Sequence, residues 1–236
     1  MKTSKKGIAA IGVVCLLSVM LLSSCLKDNV NYAQPPIPTA LVSFVVAATD
    51  QPPLDLYFNN NRVNSAPLGY GSELDYFRAY TGQRTVNIYN DASSTKLFSD
   101  TINLKKDSVY SLFLVSNLQH LQTLLIPDSI SAPSAGNAAV RFVDVSPDAP
   151  AADLLQNGSV VASNKTFKGY SSFVQLKGNT SYNFVVQQHG SSTTLASLSN
   201  VQLNAGFVYT IWLHGLANTS NAVDKLSVDI IPNAFF

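Results

Sequence analysis

Apolar residues come in short runs along most of this chain. Val86 and Ile88 alternate with polar neighbours, and so do Tyr182, Phe184 and Val186. That period of two marks a half-buried strand. Tyr80-Thr81-Gly82, Asn157-Gly158 and Asn204-Ala205-Gly206 punctuate the runs as turns. No stretch after residue 25 carries a 3.6-residue period, so the pattern predicts strands and turns throughout. One segment stands apart. Residues 8–22 are almost all apolar and follow Lys2, Lys5 and Lys6. This is the layout of a signal peptide, and it falls short of the roughly 20 apolar residues that span a bilayer.

The strand pattern is written twice. VSFVVAATDQPPLDLY from Val42 is repeated as VRFVDVSPDAPAADLL from Val140. Phe44 matches Phe142, Asp50 matches Asp148, Pro52 matches Pro150, Asp55 matches Asp153 and Val63 matches Val161, all 98 residues apart. Leu104 and Tyr110 match Leu203 and Tyr209 at a spacing of 99. The repeat predicts two tandem domains, 40–130 and 138–236, joined by a linker at 131–137. Several short strands in a domain of this size argue for a Greek-key β-sandwich. LKKDSVY and LNAGFVY end at Tyr110 and Tyr209 and resemble the tyrosine corner of immunoglobulin-like sandwiches, where the hydroxyl bonds backbone upstream. The expected fold class is therefore all-β: two tandem immunoglobulin-like Greek-key sandwiches. The repeated Asp-x-Pro stretch is read as a corner between two sheets. Pro52 and Pro150 lack an N–H and cannot lie inside a sheet, Asp50 and Asp148 accept turn bonds, and Asp55 and Asp153 open the next strand.

Leu22-Ser23-Ser24-Cys25 resembles the lipobox of bacterial lipoproteins. The resemblance implies that residues 1–24 are removed, that Cys25 carries lipid such as palmitate, and that 25–39 form a polar, proline-rich tether. Leu26, in place of an Asp that would favour the inner membrane, points to the outer membrane, with the domains on its periplasmic or cell-surface face. Cys15 would leave with the signal and Cys25 would be acylated, so no thiol remains for a disulfide, a nucleophile or a metal site. Three of the 15 Lys and Arg lie in the signal segment, leaving 12 basic against 14 acidic residues. Such a balance offers no basic stripe for nucleic acid.

Arg141-Phe142-Val143-Asp144-Val145-Ser146-Pro147-Asp148-Ala149-Pro150-Ala151-Ala152-Asp153, with Asn157-Gly158 after it, resembles the hallmark of the family catalogued as domain of unknown function 4397. That hallmark runs R-[FV]-x-[HN]-x-[SA]-P-[DN]-[AS]-P-x-[VA]-D. Asp144 stands where the family commonly has His or Asn. In the first copy Ser43 replaces the Arg and Thr49 the first Pro. The resemblance spans about residues 40–236. It implies tandem β-sandwich domains on exported, often lipidated, bacterial proteins, and no established activity.

Candidate chemistry is sparse. His120, His189 and His214 lack a neighbour at metal-ligand spacing and are expected as solvated loop residues; no hydrolase, phosphate-loop or dinucleotide motif occurs. The pairs Asp50/Asp55 and Asp148/Asp153 could share a Ca²⁺ ion, but turn-setting is the reading preferred, and neither metal nor cofactor is expected. Tyr70, Tyr76, Phe77 and Tyr80 crowd one stretch of the first copy, where the second has only Tyr170 and Phe173. They form a candidate binding patch. Phe113 and Trp212 run out of phase with Tyr110 and Tyr209 and should sit on an outer sheet face, against a ligand or against the other domain. The leading expectation is a membrane-anchored, non-catalytic binding module for a glycan or a protein. A structural envelope component is the alternative. A hydrolase would require Glu73, Asp75 or Asp144 to meet in one pocket.

Overall fold

The computed structural model describes residues 37–236. The signal segment, Cys25 and most of the tether lie outside the described residues. The first sandwich is built from β1 (Thr39–Val46), β2 (Leu54–Phe58), β3 (Asn61–Arg62), β4 (Glu73–Tyr80), β5 (Gly82–Asn90), β6 (Lys96–Leu104), β7 (Val109–Val115) and β8 (Gln122–Pro127). Its sheets run β4-β1-β7-β8 and β3-β2-β5-β6. The second sandwich repeats this strand for strand: β9 (Asn137–Asp144), β10 (Ala152–Gln156), β11 (Ser159–Lys165), β12 (Val174–Lys177), β13 (Thr180–Gln188), β14 (Thr194–Leu203), β15 (Phe207–His214) and β16 (Ser227–Phe235). Its sheets run β12-β9-β15-β16 and β11-β10-β13-β14. In both copies the first strand pairs in parallel with the seventh, and all other pairings are antiparallel. The helical turns among the described residues are two 3-10 turns, Leu118–His120 and Ala222–Asp224.

Alternation explains each core. Val42, Phe44 and Val46 of β1 point inward with Leu54, Leu56, Val86, Ile88 and Leu112. Val140, Phe142, Leu154, Phe184, Val186 and Ile211 do the same in the second copy. Each wholly buried aliphatic or aromatic side chain contributes about 1.5–3 kcal/mol. The Asn157-Gly158 turn has both residues at positive φ, 45° and 85°, as a type I′ hairpin demands.

The tyrosine hydroxyls close both sandwiches. Tyr110 accepts the Lys105 N–H at 3.2 Å, and Tyr209 accepts the Asn204 N–H at 3.1 Å. Tyr209→Phe is expected to cost about 1 kcal/mol in a urea titration; an unchanged midpoint would show that the bond contributes nothing. In the second copy the two carboxylates of the proline corner are tied down differently. Asp148 accepts the backbone N–H groups of Ala217 at 2.7 Å and Asn218 at 3.0 Å, on the loop after β15. Asp153 instead accepts from Ser163 Oγ and the Asn164 N–H, both at 2.7 Å. The two carboxylates of that corner thus serve separate loops. Asp148→Ala should destabilise by about 1–2 kcal/mol, and calcium-dependent melting of the unmodified protein would contradict this turn-setting role.

A third core lies between the sandwiches. Val45, Ala47, Phe113, Val115 and Ile126 of the first pack on Val143, Val145 and Trp212 of the second. The sheets β4-β1-β7-β8 and β12-β9-β15-β16 therefore cover each other's outer faces. β1 and β9 are buried on both sides, and this is why VSFVVAA and AAVRFVDV read as near-continuous apolar runs.

Candidate functional site

The interface is a pseudo-twofold contact between two copies that have diverged. Strand register makes Ser43 equivalent to Arg141, Ser111 to Thr210, Asp128 to Asn233 and Tyr76 to Phe173. All eight residues meet in one buried group. Arg141, only 2% exposed, pairs with Asp128 at 2.6 Å. Its other donors go to Thr210 Oγ1 at 2.8 Å and Ser111 Oγ at 2.9 Å, and its guanidinium lies 4.9 Å from the Phe173 ring centre. Asp128 also accepts from the Tyr76 hydroxyl at 2.7 Å and Ser111 Oγ at 2.8 Å. Asn233 accepts from Thr210 and donates to Tyr76; Ser43 donates to Ser111. Burial first, and then the Asp128 charge, push the Tyr76 phenol up to about 12, so it remains a donor.

The other end of the pseudo-dyad carries a second polar set. The Tyr70 hydroxyl meets His214 Nδ1 at 2.6 Å, and His214 Nε2 meets Asp229 at 2.9 Å. Burial, with Asp224 and Asp229 nearby, raises the Tyr70 phenol and keeps its proton. With Tyr70 as the donor to Nδ1, the Nε2–H of the ring donates to Asp229. Trp212 stacks on His214 with ring centres 4.1 Å apart. The equivalent positions across the pseudo-dyad are Phe167, Val115 and Leu124, all apolar. His214 is thus buried at the interface and is not the solvated loop residue expected. The reason is its place at the last position of β15, on the face that meets the other sandwich. His120 is exposed, and His189 sits exposed beside Asp153 at 2.9 Å.

These contacts divide the aromatic patch. Tyr70, Tyr76 and Trp212 belong to the domain contact, and Trp212 lies 6.1 Å from Phe113, its own equivalent. Phe77 and Tyr80 do not. Together with Phe58, Arg62, Arg78 and Arg84 they line a groove of about 250 Å³ where the edge strands β3 and β4 fail to meet. Phe77 packs edge-on against Phe58 at 5.2 Å, and Tyr80 is 51% exposed. Asn59 and Asn61 complete the rim. The sequence patch was visible as composition; its division was not, since alternation alone says nothing of which outer face a partner covers.

Of the three acids a hydrolase would need, Glu73 and Asp75 line one cleft of about 270 Å³ with Tyr76 and Asn233. Partial burial and the Asp75 charge raise the Glu73 carboxyl. Asp144 is elsewhere, wholly buried at the inward-facing end of β9. No group of three or more His, Cys, Asp or Glu side chains among the described residues could hold a metal ion.

Fold and groove together define a tandem β-sandwich protein whose two copies are locked face to face and whose first copy alone opens a mixed aromatic and arginine groove. The chain belongs to the family described as Domain of unknown function (DUF4397), whose model matches residues 40–154 and 140–229. No curated protein matches it in sequence. Solved structures similar to it include a family 26 carbohydrate-binding module from Eubacterium rectale, in complex with maltoheptaose, at 9% identity and a TM-score of 0.26, covering 83% of this chain and 97% of that one. A streptococcal virulence factor that binds α-glucan is similar at 10% identity and a TM-score of 0.24, over 75% of this chain and 92% of that one. A protein provisionally assigned to cell adhesion, from Parabacteroides distasonis, is similar at 7% identity and a TM-score of 0.25, over 85% and 100%. Likeness at this level carries no functional argument.

Proposed function

We propose that the protein is an exported, lipid-anchored binding module that acts without catalysis, and that the β3–β4 groove of the first sandwich receives its ligand. The observation that supports this most is the difference between the copies. The second sandwich builds the same strands with Gln156 for Phe58, Val160 for Arg62, Val174 for Phe77, Gln175 for Arg78, Lys177 for Tyr80 and Tyr182 for Arg84. The fold therefore does not require the groove. An exposed Tyr beside fixed donors offers a flat apolar face with a polar rim, the composition typical of ligand sites.

A panel of immobilised glycans and envelope proteins, probed with the purified chain and with Tyr80→Ala, tests the reading. Retention of a partner by the unmodified protein, weakened about tenfold or more in the variant, is the expected result. Retention that ignores Tyr80 would move the site elsewhere. The anchor makes a separate prediction: Cys25→Ala should release the protein from the membrane fraction and abolish incorporation of labelled palmitate. A structural envelope component is the second reading, supported by the buried polar lock that holds the sandwiches in one arrangement.

A further inference from the structure

We infer that the β3–β4 groove selects an acidic glycan, a sugar chain bearing carboxylate or sulfate groups, with Arg78 and Arg84 as its anion-binding residues. This rests on the groove being a ligand site.

Charge carries the argument. Three arginines are among the residues that line the groove and no acidic residue is. Arg62 is already neutralised, by Asp55 at 2.5 Å and Asp91 at 3.6 Å. Among the described residues Arg84 is held by neutral groups alone. Its Nε donates to the Tyr80 carbonyl at 2.8 Å and one Nη to the Thr81 carbonyl at 2.5 Å, with the guanidinium 5.9 Å from the Tyr80 ring centre. Two of the five guanidinium N–H donors fix its plane, and the remaining three make no hydrogen bond among the described residues, so a ligand would meet a side chain already ordered. Arg78, exposed on β4, pairs with no carboxylate among the described residues. The site thus holds two uncompensated positive charges on a chain whose predicted mature form is slightly acidic. A planar fork of donors suits a carboxylate or sulfate better than a neutral hydroxyl.

The remaining walls favour a sugar as the bearer of that charge. Tyr80 offers a ring face to the C–H side of a pyranose, and Asn61 and Asn59 line the rim, Asn59 with its Oδ1 spent on the Thr85 N–H at 2.9 Å and its amide nitrogen left as a donor for a hydroxyl. A peptide docking as an added strand would want a run of free main-chain groups. β3, one wall of the groove, is two residues long; β4, the other, is an eight-residue edge strand, so an acidic peptide added as a strand is the outcome that the polyglutamate arm tests.

The experiment titrates the full chain, in detergent, with polygalacturonate, chondroitin sulfate, neutral amylose and polyglutamate at low and high salt. Tight binding of one acidic polysaccharide, weakened by salt and lost about tenfold or more in Arg78→Gln, is the expected result. The Arg78 side chain makes no hydrogen bond or ion pair among the described residues, so this variant should melt at the unmodified temperature, while Arg84→Gln tests the fixed fork. Amylose binding that weakens in Tyr80→Ala but not in Arg78→Gln would overturn the acidic preference and leave the ligand site standing. Preference for polyglutamate would overturn the sugar. Failure of every probe to bind would remove this inference and the groove reading together.

Discussion

Asp144→Asn is expected to stabilise the protein by about 4 kcal/mol above pH 7.5, and by progressively less as the pH falls. Asp144 is 0% exposed, and burial pushes its carboxyl from 3.8 to about 7 against the lowering effect of the Ser146 N–H bond. One oxygen accepts that N–H at 3.0 Å, and the other has no partner. The folded state therefore holds a proton that the unfolded chain releases near 3.8. Across the window from 3.8 to about 7, the unfolded state binds fewer protons, so stability falls as pH rises, and it levels off above the folded value. An Asn keeps the oxygen that Ser146 needs and removes the charge. The gap between variant and parent, from urea titrations at pH 5 and pH 8, should widen by more than about 2 kcal/mol. A gap independent of pH would mean that the carboxylate is solvated or paired. The first copy shows that the position needs no acid, since Val46 is its equivalent in the core.

Asp128→Ala should cost about 3–5 kcal/mol, because it strands the Arg141 guanidinium between two sheets with no counter-charge. The loss exceeds that of a surface pair by severalfold, since the pair is shielded from water and salt. Asp128→Leu combined with Arg141→Met should recover most of it, as apolar residues of similar size often replace a buried ion pair without loss. A double-mutant cycle on chemical denaturation reads the coupling directly. Additive single effects would show that Arg141 draws its support from Thr210, Ser111 and Phe173 alone. The design is economical in one respect: only the second copy needs the Arg, with Ser43 at the equivalent place of the first, so the charges complement each other across the pseudo-dyad.

Catalysis has one structural observation in its favour, the cleft shared by Glu73 and Asp75. Glycosidic hydrolysis would require one acid to protonate and another to attack or activate water. Replacement of Glu73 by Gln should leave any glycan binding in the β3–β4 groove unchanged, and release of reducing ends that vanished in that variant would establish an enzyme instead.

The duplication, the β class, the proline corners and the position of the two corner tyrosines were all legible in the sequence. Each depends on interactions close in the chain: alternation, the missing N–H of proline, the turn preference of Asp and Asn-Gly. The near-continuous apolar runs of β1 and β9 were also there to read, and they signal strands covered on both faces. What covers them was decided only by the tertiary structure. Phe113 and Trp212 could be placed on an outer face, but whether that face met a ligand or the other sandwich depends on pairing residues nearly a hundred positions apart. The same holds for His214, buried against Tyr70 and Asp229, and for Arg141, buried against Asp128 of the other copy. Local sequence sets which way a side chain points on its strand. The partner it finds there comes from the packing of one copy on the other, and that packing leaves Tyr80, Arg78 and Arg84 of the first copy lining an open groove between β3 and β4.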